Sequence, residues 1–456
     1  MSRRDKNKWT VRIHTLGCDK NAVDSEVMAG LLAKSGFGLV AGGRADIAVL
    51  NTCGFVTAAK EESIEEILLL AGEKRRGRIR KLVMAGCLAR RYKEELPSLF
   101  PEVDLFIGPG DIPSLPAVLS GMLAGERHPR LSASRCVVGA GALPDDAYRH
   151  RLPVAASAVS SGFAFLKILE GCDNRCSYCA IPAIRGPLRS RGRDSLLAEA
   201  RELVRRGAKE INLVGQDLTA YGADRAEKGA LPSLVRDLCA IRGLRWVRLL
   251  YLYPSRVDDA IIDLLRSEEK VCPYLDIPVQ HIDRGVLAAM GRKYGPSDVY
   301  RMLDRLRAAA PGVFLRTSLI TGFPGETTRA FDRLLGFVHE TRWDYLGVFE
   351  YSREEGTPAA LAPRQVAKTT ALKRARMIRD AQADILAARN ASMKGETVQV
   401  LVEKVFANGG AQGRHRGQAP DVDGAVRLTG FDGEPGVIRR ATVTGAREWD
   451  LRAKIL

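Results

Sequence analysis

The chain has 456 residues, 46% of them hydrophobic and 27% charged, which is ordinary for a soluble globular protein and enough for about two to four domains. No apolar run approaches the roughly 20 residues that span a bilayer, and MSRRDKNKW lacks the apolar core of a signal peptide, so a cytoplasmic location without a membrane partner is expected. A formal net charge of +16 favours a polyanionic partner, ribosome or RNA first, and nine cysteines without disulfide-like density fit a reducing compartment and metal ligation.

After the basic tail, residues 10–16 alternate like a strand that ends at Gly17-Cys18. A helix over 23–34 follows, with Val23, Val27 and Leu31 on one stripe and Gly36 as its stop. The unit recurs. Strand 46–50 ends at Asn51-Thr52-Cys53-Gly54 and is followed by a helix over 63–72. Strand 81–85 ends at Gly86-Cys87 before a helix over 91–96, and 103–107 reads as a fourth strand. Such alternation predicts a small parallel α/β sheet, in which ligands sit outside the carboxyl ends of the strands. Cys18, Cys53 and Cys87 all fall there, 35 and 34 residues apart, so a three-thiolate cluster site is expected, with chance placement as the alternative. From 126 to 161 the periodicity is lost in a stretch rich in Gly, Ala, Ser and Pro, read as a linker in which Cys136 has no assigned role.

Residues 162–391 alternate strand and helix again. Strands are expected at 163–169, 210–214, 247–253, 274–279, 313–321 and 346–352, six units that make a partial (βα) barrel with its active face at the strand carboxyl ends. Directly after the first strand, Cys172, Cys176 and Cys179 are separated by three and then two residues. A structural zinc site wants four closed ligands, and no fourth Cys or His lies nearby. A cubane iron–sulfur cluster on three cysteines leaves one iron open to a substrate or cofactor, and Tyr178 would wall it; three thiols in a core are the alternative. The other strand ends carry Gly215, Gln216 and Asp217, then Pro254, Ser255 and Arg256, then Gln280 and His281, then the run 318–326. Gly322 and Gly325 would let backbone approach a planar ligand edge, with a turn that needs glycine as the alternative; for His281 the alternative is a neutral histidine bonded at a strand end. Arg185, Arg189, Arg191 and Arg193 read as a solvated face or an anion-steering run, and Cys239 and Cys272 as core.

A long basic amphipathic helix is expected over 366–390, with Leu372, Ala375, Met377 and Ile378 near one stripe, packed across the open edge of the barrel. Beyond it, short alternating strands broken by glycine over 396–456 predict a small five-stranded barrel.

The spacing of Cys172, Cys176 and Cys179, with Tyr178 before the third, resembles the signature of the radical S-adenosylmethionine (SAM) superfamily. That resemblance implies that the amino and carboxyl groups of SAM chelate the open iron, and that one-electron reduction splits its sulfonium to a 5′-deoxyadenosyl radical. The phrases TLGCDKNAVDSE and LNTCGFVTAAKEES resemble the amino-terminal domain of the methylthiotransferase family, which implies an auxiliary 4Fe–4S cluster on Cys18, Cys53 and Cys87. The last segment resembles the TRAM domain, an oligonucleotide-binding-like (OB-like) module. The radical SAM resemblance implies cofactor binding by Tyr178, Gly322 and Gly325 and a substrate- or SAM-facing, cofactor-binding role for Gln216, Gln280 and His281, with no catalytic residue assigned beyond the cluster ligands. In family order, 1–125 is the auxiliary-cluster domain, 126–161 a linker, 162–391 the radical SAM core and 392–456 the TRAM domain.

GCDKNAVDSE and the run YSREEGT at 351–357 resemble the RimO branch, with Asp19 in place of that branch's usual proline. This implies methylthiolation of the β-carbon of a conserved aspartate in small-subunit ribosomal protein twelve, free or in the ribosome. It also implies two SAM, two 4Fe–4S clusters and an electron donor such as flavodoxin or ferredoxin. A β-methylene beside a carboxylate is too weak an acid for any side-chain base, and hydrogen-atom abstraction avoids that limit. Two alternatives stand: a MiaB-like tRNA methylthiotransferase acting on modified adenosine, and a non-catalytic iron–sulfur ribosome-binding factor.

Overall fold

A computed structural model of the chain describes residues 9–126, 135–139, 143–152, 161–407 and 409–456. The basic tail and much of the expected linker therefore lie outside the described residues. The chain forms two compact units: Met1–Ser157 with Leu169–Asp173 and Ala180–Glu199, and Ala158–Ile168 with Asn174–Cys179 and Ala200–Leu456. Among the described residues, no helix is long and apolar enough to cross a membrane.

The first unit is built on β1 (Thr10–Thr15), β2 (Gly38–Leu39), β3 (Ile47–Thr52), β4 (Lys81–Gly86), β5 (Leu105–Ile107) and β6 (Cys136–Val137). They form one parallel sheet in the order β2-β1-β3-β4-β5-β6. β3 is buried along its whole length and β4 along all but Lys81, as strands covered on both faces must be. The four expected strands are present. The two that periodicity missed, β2 and β6, are two-residue edge strands, too short for an alternation to register. Cys136 thus belongs to the sheet edge, and Asp145–His150 adds a 3₁₀ turn with Ala147 and Tyr148 buried in the same unit. The helix expected at 91–96 is instead Cys87–Arg91 followed by Leu96–Leu99. Leu88 and Ala89 are buried, which draws the helix start back to the strand end.

β7 (Phe163–Lys167) opens the second sheet. The apolar run then breaks, and β8 (Leu169–Glu170) pairs antiparallel with β9 (Arg189–Ser190) in the first unit. β10 (Glu210–Val214), β11 (Trp246–Leu249), β12 (Val271–Asp276), β13 (Phe314–Thr321) and β14 (Tyr345–Glu350) continue from β7. Each pairs in parallel with its neighbours in sequence, and β7 and β14 remain as edges, so the six-stranded open array expected is the one formed. The helix Lys368–Ser392 buries Ala371, Ala375, Ile378, Ile385 and Leu386. Leu372 and Met377, placed on its buried stripe by periodicity, are exposed, and Arg374 is buried instead. The reason is polar: Arg374 donates to the Glu326 carbonyl at 3.0 Å and pairs with its carboxylate at 3.5 Å.

β15 (Thr397–Val405), β16 (Ala411–His415), β17 (Val426–Thr429), β18 (Val437–Arg447) and β19 (Asp450–Ile455) close into a barrel in the order β15-β16-β17-β19-β18. Within the second unit, this barrel is tied to the parallel sheet by charge. Glu210 on β10 accepts from Arg248 Nε at 2.8 Å and from Arg414 Nη2 at 2.6 Å, and all three side chains are buried. Burial pushes the Glu210 carboxyl up, but the Arg414 and Arg248 guanidiniums more than reverse this and hold it below its ordinary value. His415, buried beside them, accepts from the Gly417 N–H on Nδ1. Burial first, then the Arg389, Arg248 and Arg414 charges, push it down to about 3.

Glu210→Gln should destabilise this unit by about 3–5 kcal/mol in urea unfolding, because the buried Arg248 loses its counter-ion and Arg414 keeps only Glu403. His415 is neutral when folded but protonates when unfolded near pH 6.5. Its folded pKa lies below its unfolded one, so the unfolded chain binds more protons between about 3 and 6.5 and stability falls as pH falls through that window. His415→Gln should remove up to about 1.4 kcal/mol per pH unit from the slope there, measured by unfolding at stepped pH.

Candidate cluster sites

In the first sheet, the strand order reverses between β1 and β3, and such a switch point opens a crevice at the carboxyl ends of the strands. Cys18 follows β1, Cys53 follows β3 and Cys87 follows β4. Asn21, fully buried on the helix Asp19–Lys34, staples the three ends together. Its Nδ2 donates to Leu16 O at 2.8 Å and to Thr52 O at 3.1 Å, and its Oδ1 stands 3.8 Å from Cys87 Sγ. Asn51 Nδ2 donates back to Asn21 O at 2.9 Å and to Ser25 Oγ at 3.0 Å.

The three thiols lie within one another's electrostatic reach. Burial pushes the Cys53 thiol up to about 12, and Cys87 and Cys18 add to that rise. Burial likewise raises Cys87, against the pull of the Arg185 guanidinium. Cys18 is exposed, so the triad has one open side. Among the described residues, no group of three His, Cys, Asp or Glu is arranged around a single metal ion. A cubane cluster spreads its cysteines wider than a single ion does, and the donor set of three thiols with no fourth protein ligand fits such a cluster.

Arg185 corrects the reading of the arginine run as a solvated or anion-steering face. Its side chain is only 2% exposed. Nη1 donates to Asp24 Oδ2 at 2.7 Å and to Glu170 Oε1 at 3.1 Å, and Nη2 to Asn21 Oδ1 at 2.7 Å and to Cys87 Sγ at 3.1 Å. Arg191 is also buried, paired with Glu199 at 2.7 Å and stacked 3.5 Å over the Tyr148 ring. Only Arg189 and Arg193 of the run are exposed.

The second cysteine loop is shared by the two units: Cys172 lies in the first, Cys176 and Cys179 in the second. In the first, the Cys172 N–H donates to Gly186 O at 3.2 Å. In the second, the Cys179 N–H donates to Cys176 O at 3.1 Å and the Ser177 N–H to Met290 O at 3.0 Å. Tyr178 packs edge-on to Phe323 with centroids 6.3 Å apart, and Arg292 donates to its hydroxyl at 2.8 Å. Burial drives the Tyr178 phenol well above its ordinary value, so it remains an O–H beside Cys176 and Cys179.

Around that loop, the strand ends of the second sheet are cross-linked. Asn174 donates to Asp217 Oδ2 at 2.6 Å, and Arg256 reaches both Asp217 and Asn174. Gln216 is half-buried one residue before Asp217. Gln280 holds φ at 65° in a γ-turn closed by His281 N–H to Val279 O at 2.8 Å. A left-handed non-glycine residue costs about 1–3 kcal/mol, strain that characteristically gathers at functional sites. His281 is fully buried. Its Nδ1 accepts from the Asp283 N–H at 2.9 Å, which leaves Nε2 as the protonated nitrogen, 3.9 Å from Glu326 Oε1. The Gly322 N–H donates to Glu326 Oε2, and a Cβ at Gly322 would stand 2.3 Å from that of Ala371. Glycine is thus required there by the approach of the helix Lys368–Ser392, and Gly325 donates to Arg364 O at 2.9 Å. Cys239 and Cys272 are core, as expected.

Sequence reasoning missed Asn21, Asp24 and Glu170. The available signal was the pair of polar residues on the inward face of the first helix, three residues apart on either side of the buried Val23.

Three family models match successive parts of the chain: "Uncharacterized protein family UPF0004" over residues 10–108, "Radical SAM superfamily" over 166–338 and "TRAM domain" over 395–456. The "Ribosomal protein uS12 methylthiotransferase RimO" of Geotalea uraniireducens is 44% identical, covering 98% of this chain and 99% of its own. The protein of the same name from Geobacter sulfurreducens is 43% identical with the same coverage. Among solved structures, the radical S-adenosylmethionine methyltransferase TsrM of Kitasatospora setae shares the fold, with a TM-score of 0.56, 16% identity and 77% of each chain covered. The cobalamin-dependent radical enzyme OxsB follows at 0.54 and 14%, over 82% of this chain and 56% of its own. With 44% identity over 98% of its length, the chain belongs to the RimO family of radical SAM methylthiotransferases.

Proposed function

We propose that the protein transfers a methylthio group to the β-carbon of a conserved aspartate in ribosomal protein uS12, free or in the ribosome, giving 3-methylthioaspartate. The observation that carries this reading is the convergence of Cys18, Cys53 and Cys87, a second thiol triad that hydrogen-atom abstraction alone would not need. The relatives' printed name supports the substrate.

In this reading Cys18, Cys53 and Cys87 hold an auxiliary 4Fe–4S cluster, and Cys172, Cys176 and Cys179 hold the SAM-binding one. When bound, the two clusters with two SAM supply hydrogen-atom abstraction and a sulfur that can be methylated. The chain's own residues orient and enclose. Tyr178, held by Arg292 and Phe323, walls the SAM-binding cluster with its ring. Gln216 and the strained Gln280 stand at the same strand ends, and in this reading the turn through Gly322 and Gly325, fixed by Glu326 and Arg364, offers its remaining backbone groups to the cofactor. His281 acts from behind that edge, through Glu326 and the Gly322 amide that it holds. The functional extents are 1–125 for the auxiliary cluster, 126–161 for the connection, 162–391 for the radical SAM core and 392–456 for the TRAM domain. Reduction would come from a flavodoxin or ferredoxin in the cytoplasm.

After anaerobic reconstitution the chain should carry about eight irons, and Cys18→Ala or Cys176→Ala about four each, read by iron and sulfide assay. Dithionite, SAM and purified uS12 should yield 5′-deoxyadenosine and a peptide heavier by one methylthio group at an aspartate. The net charge of +16 and the exposed Arg447 and Trp449 of the barrel favour tRNA as a second substrate. Product mass on a tRNA bearing modified adenosine, with uS12 left untouched, would replace the first reading by the second. Absence of 5′-deoxyadenosine would leave only a ribosome-binding factor.

A further inference from the structure

We infer that Arg185 sets the reduction potential of the auxiliary cluster by hydrogen-bonding the sulfur of one of its ligands. This rests on the reading of Cys18, Cys53 and Cys87 as that cluster's ligands. The sulfur contact is direct, with Arg185 Nη2 3.1 Å from Cys87 Sγ and neither side chain open to solvent. The guanidinium cannot swing away, because its other bonds fix both ends of the fork: Nη1 on the carboxylates of Asp24 and Glu170, Nη2 also on the Asn21 amide.

The charges explain why a donor is needed. The carboxylates of Asp24 and Glu170 share this guanidinium, so acidic groups already stand beside Cys87 before any thiolate forms. Adding an electron to a thiolate-bound cluster there adds a further buried negative charge, which low dielectric makes costly. A charged N–H donor on the ligand sulfur withdraws electron density and stabilises the reduced form, so it raises the potential. Arg185 touches neither substrate nor iron in this role and is a positioning residue.

Its place in the chain adds a second consequence. Arg185 closes the short helix Ile181–Arg185 that follows Cys179, and the next residue, Gly186, accepts the Cys172 N–H at 3.2 Å. A Cβ at Gly171 would lie 2.1 Å from Pro187 O, so the two backbones are pressed together. One dipeptide, Arg185-Gly186, thus addresses the sulfur of one triad and the backbone of the other.

The test uses the full chain with Cys172, Cys176 and Cys179 all changed to Ala, which leaves the auxiliary site alone. Arg185→Gln and Arg185→Lys are made in that background, reconstituted, and titrated with dithionite and mediators under paramagnetic-resonance detection. The inference expects about four irons in all three proteins. In the Gln variant the reduced-to-oxidised ratio at a fixed potential should fall at least tenfold, about 59 mV for a one-electron couple. The Lys variant, which keeps the charge but not the fork, should fall between. An unmoved midpoint with iron retained overturns the inference alone, as does loss of iron in both variants, which would make Arg185 a strut. A parent chain without iron overturns the cluster assignment and this inference with it.

Discussion

A buried guanidinium organises the first unit. Arg185 has almost no water around it, and a charge in that state persists only if every donor finds a partner. Its partners come from three separate segments: Asn21 and Asp24 from the first helix, Glu170 from β8 and Cys87 from the end of β4. Satisfying that one side chain therefore fixes the segments that bear two of the unit's cysteine sites. Asn21 then ties in the ends of β1 and β3, so the three thiols are held by buried polar bonds rather than by loop chance.

The second unit uses the same device at its own strand ends. Asp217, Asn174 and Arg256 join the loops that follow β7, β10 and β11. Glu326 and Arg374 join the loop that follows β13 to the long helix. Polar groups this deep are tolerable only when paired, and where they are paired they leave little freedom. A rigid rim is what a reaction through a carbon radical requires, since a loosely held intermediate would meet the wrong hydrogen.

Much of this was legible in the residue order, and the part that was not has a physical explanation. Parallel strands buried on both faces write apolar runs, so β3, β4, β7 and β10 stand out, while β1 and the strands of the barrel show by alternation. Cysteine spacing marked both triads. Two-residue edge strands carry no period and were lost. The errors cluster where polarity and burial part company: Arg185 and Arg191 read as part of a solvated or anion-steering run because long charged side chains usually face water, and both are buried. Their counter-charges lie up to 161 residues away in sequence, and no local pattern reports such a pairing. Leu372 and Met377 were misplaced for the same reason, since a buried arginine had taken part of their stripe.

The central claim is that six cysteines divide into two sets, each closing three corners of an iron–sulfur cube. Anomalous diffraction at the iron edge, from crystals of the anaerobically reconstituted full chain, tests it most directly. The account predicts two iron peaks, one bounded by Cys18, Cys53 and Cys87 and the other by Cys172, Cys176 and Cys179. A single peak at the second triad, with the first three sulfurs bare or bonded to one another, would contradict it.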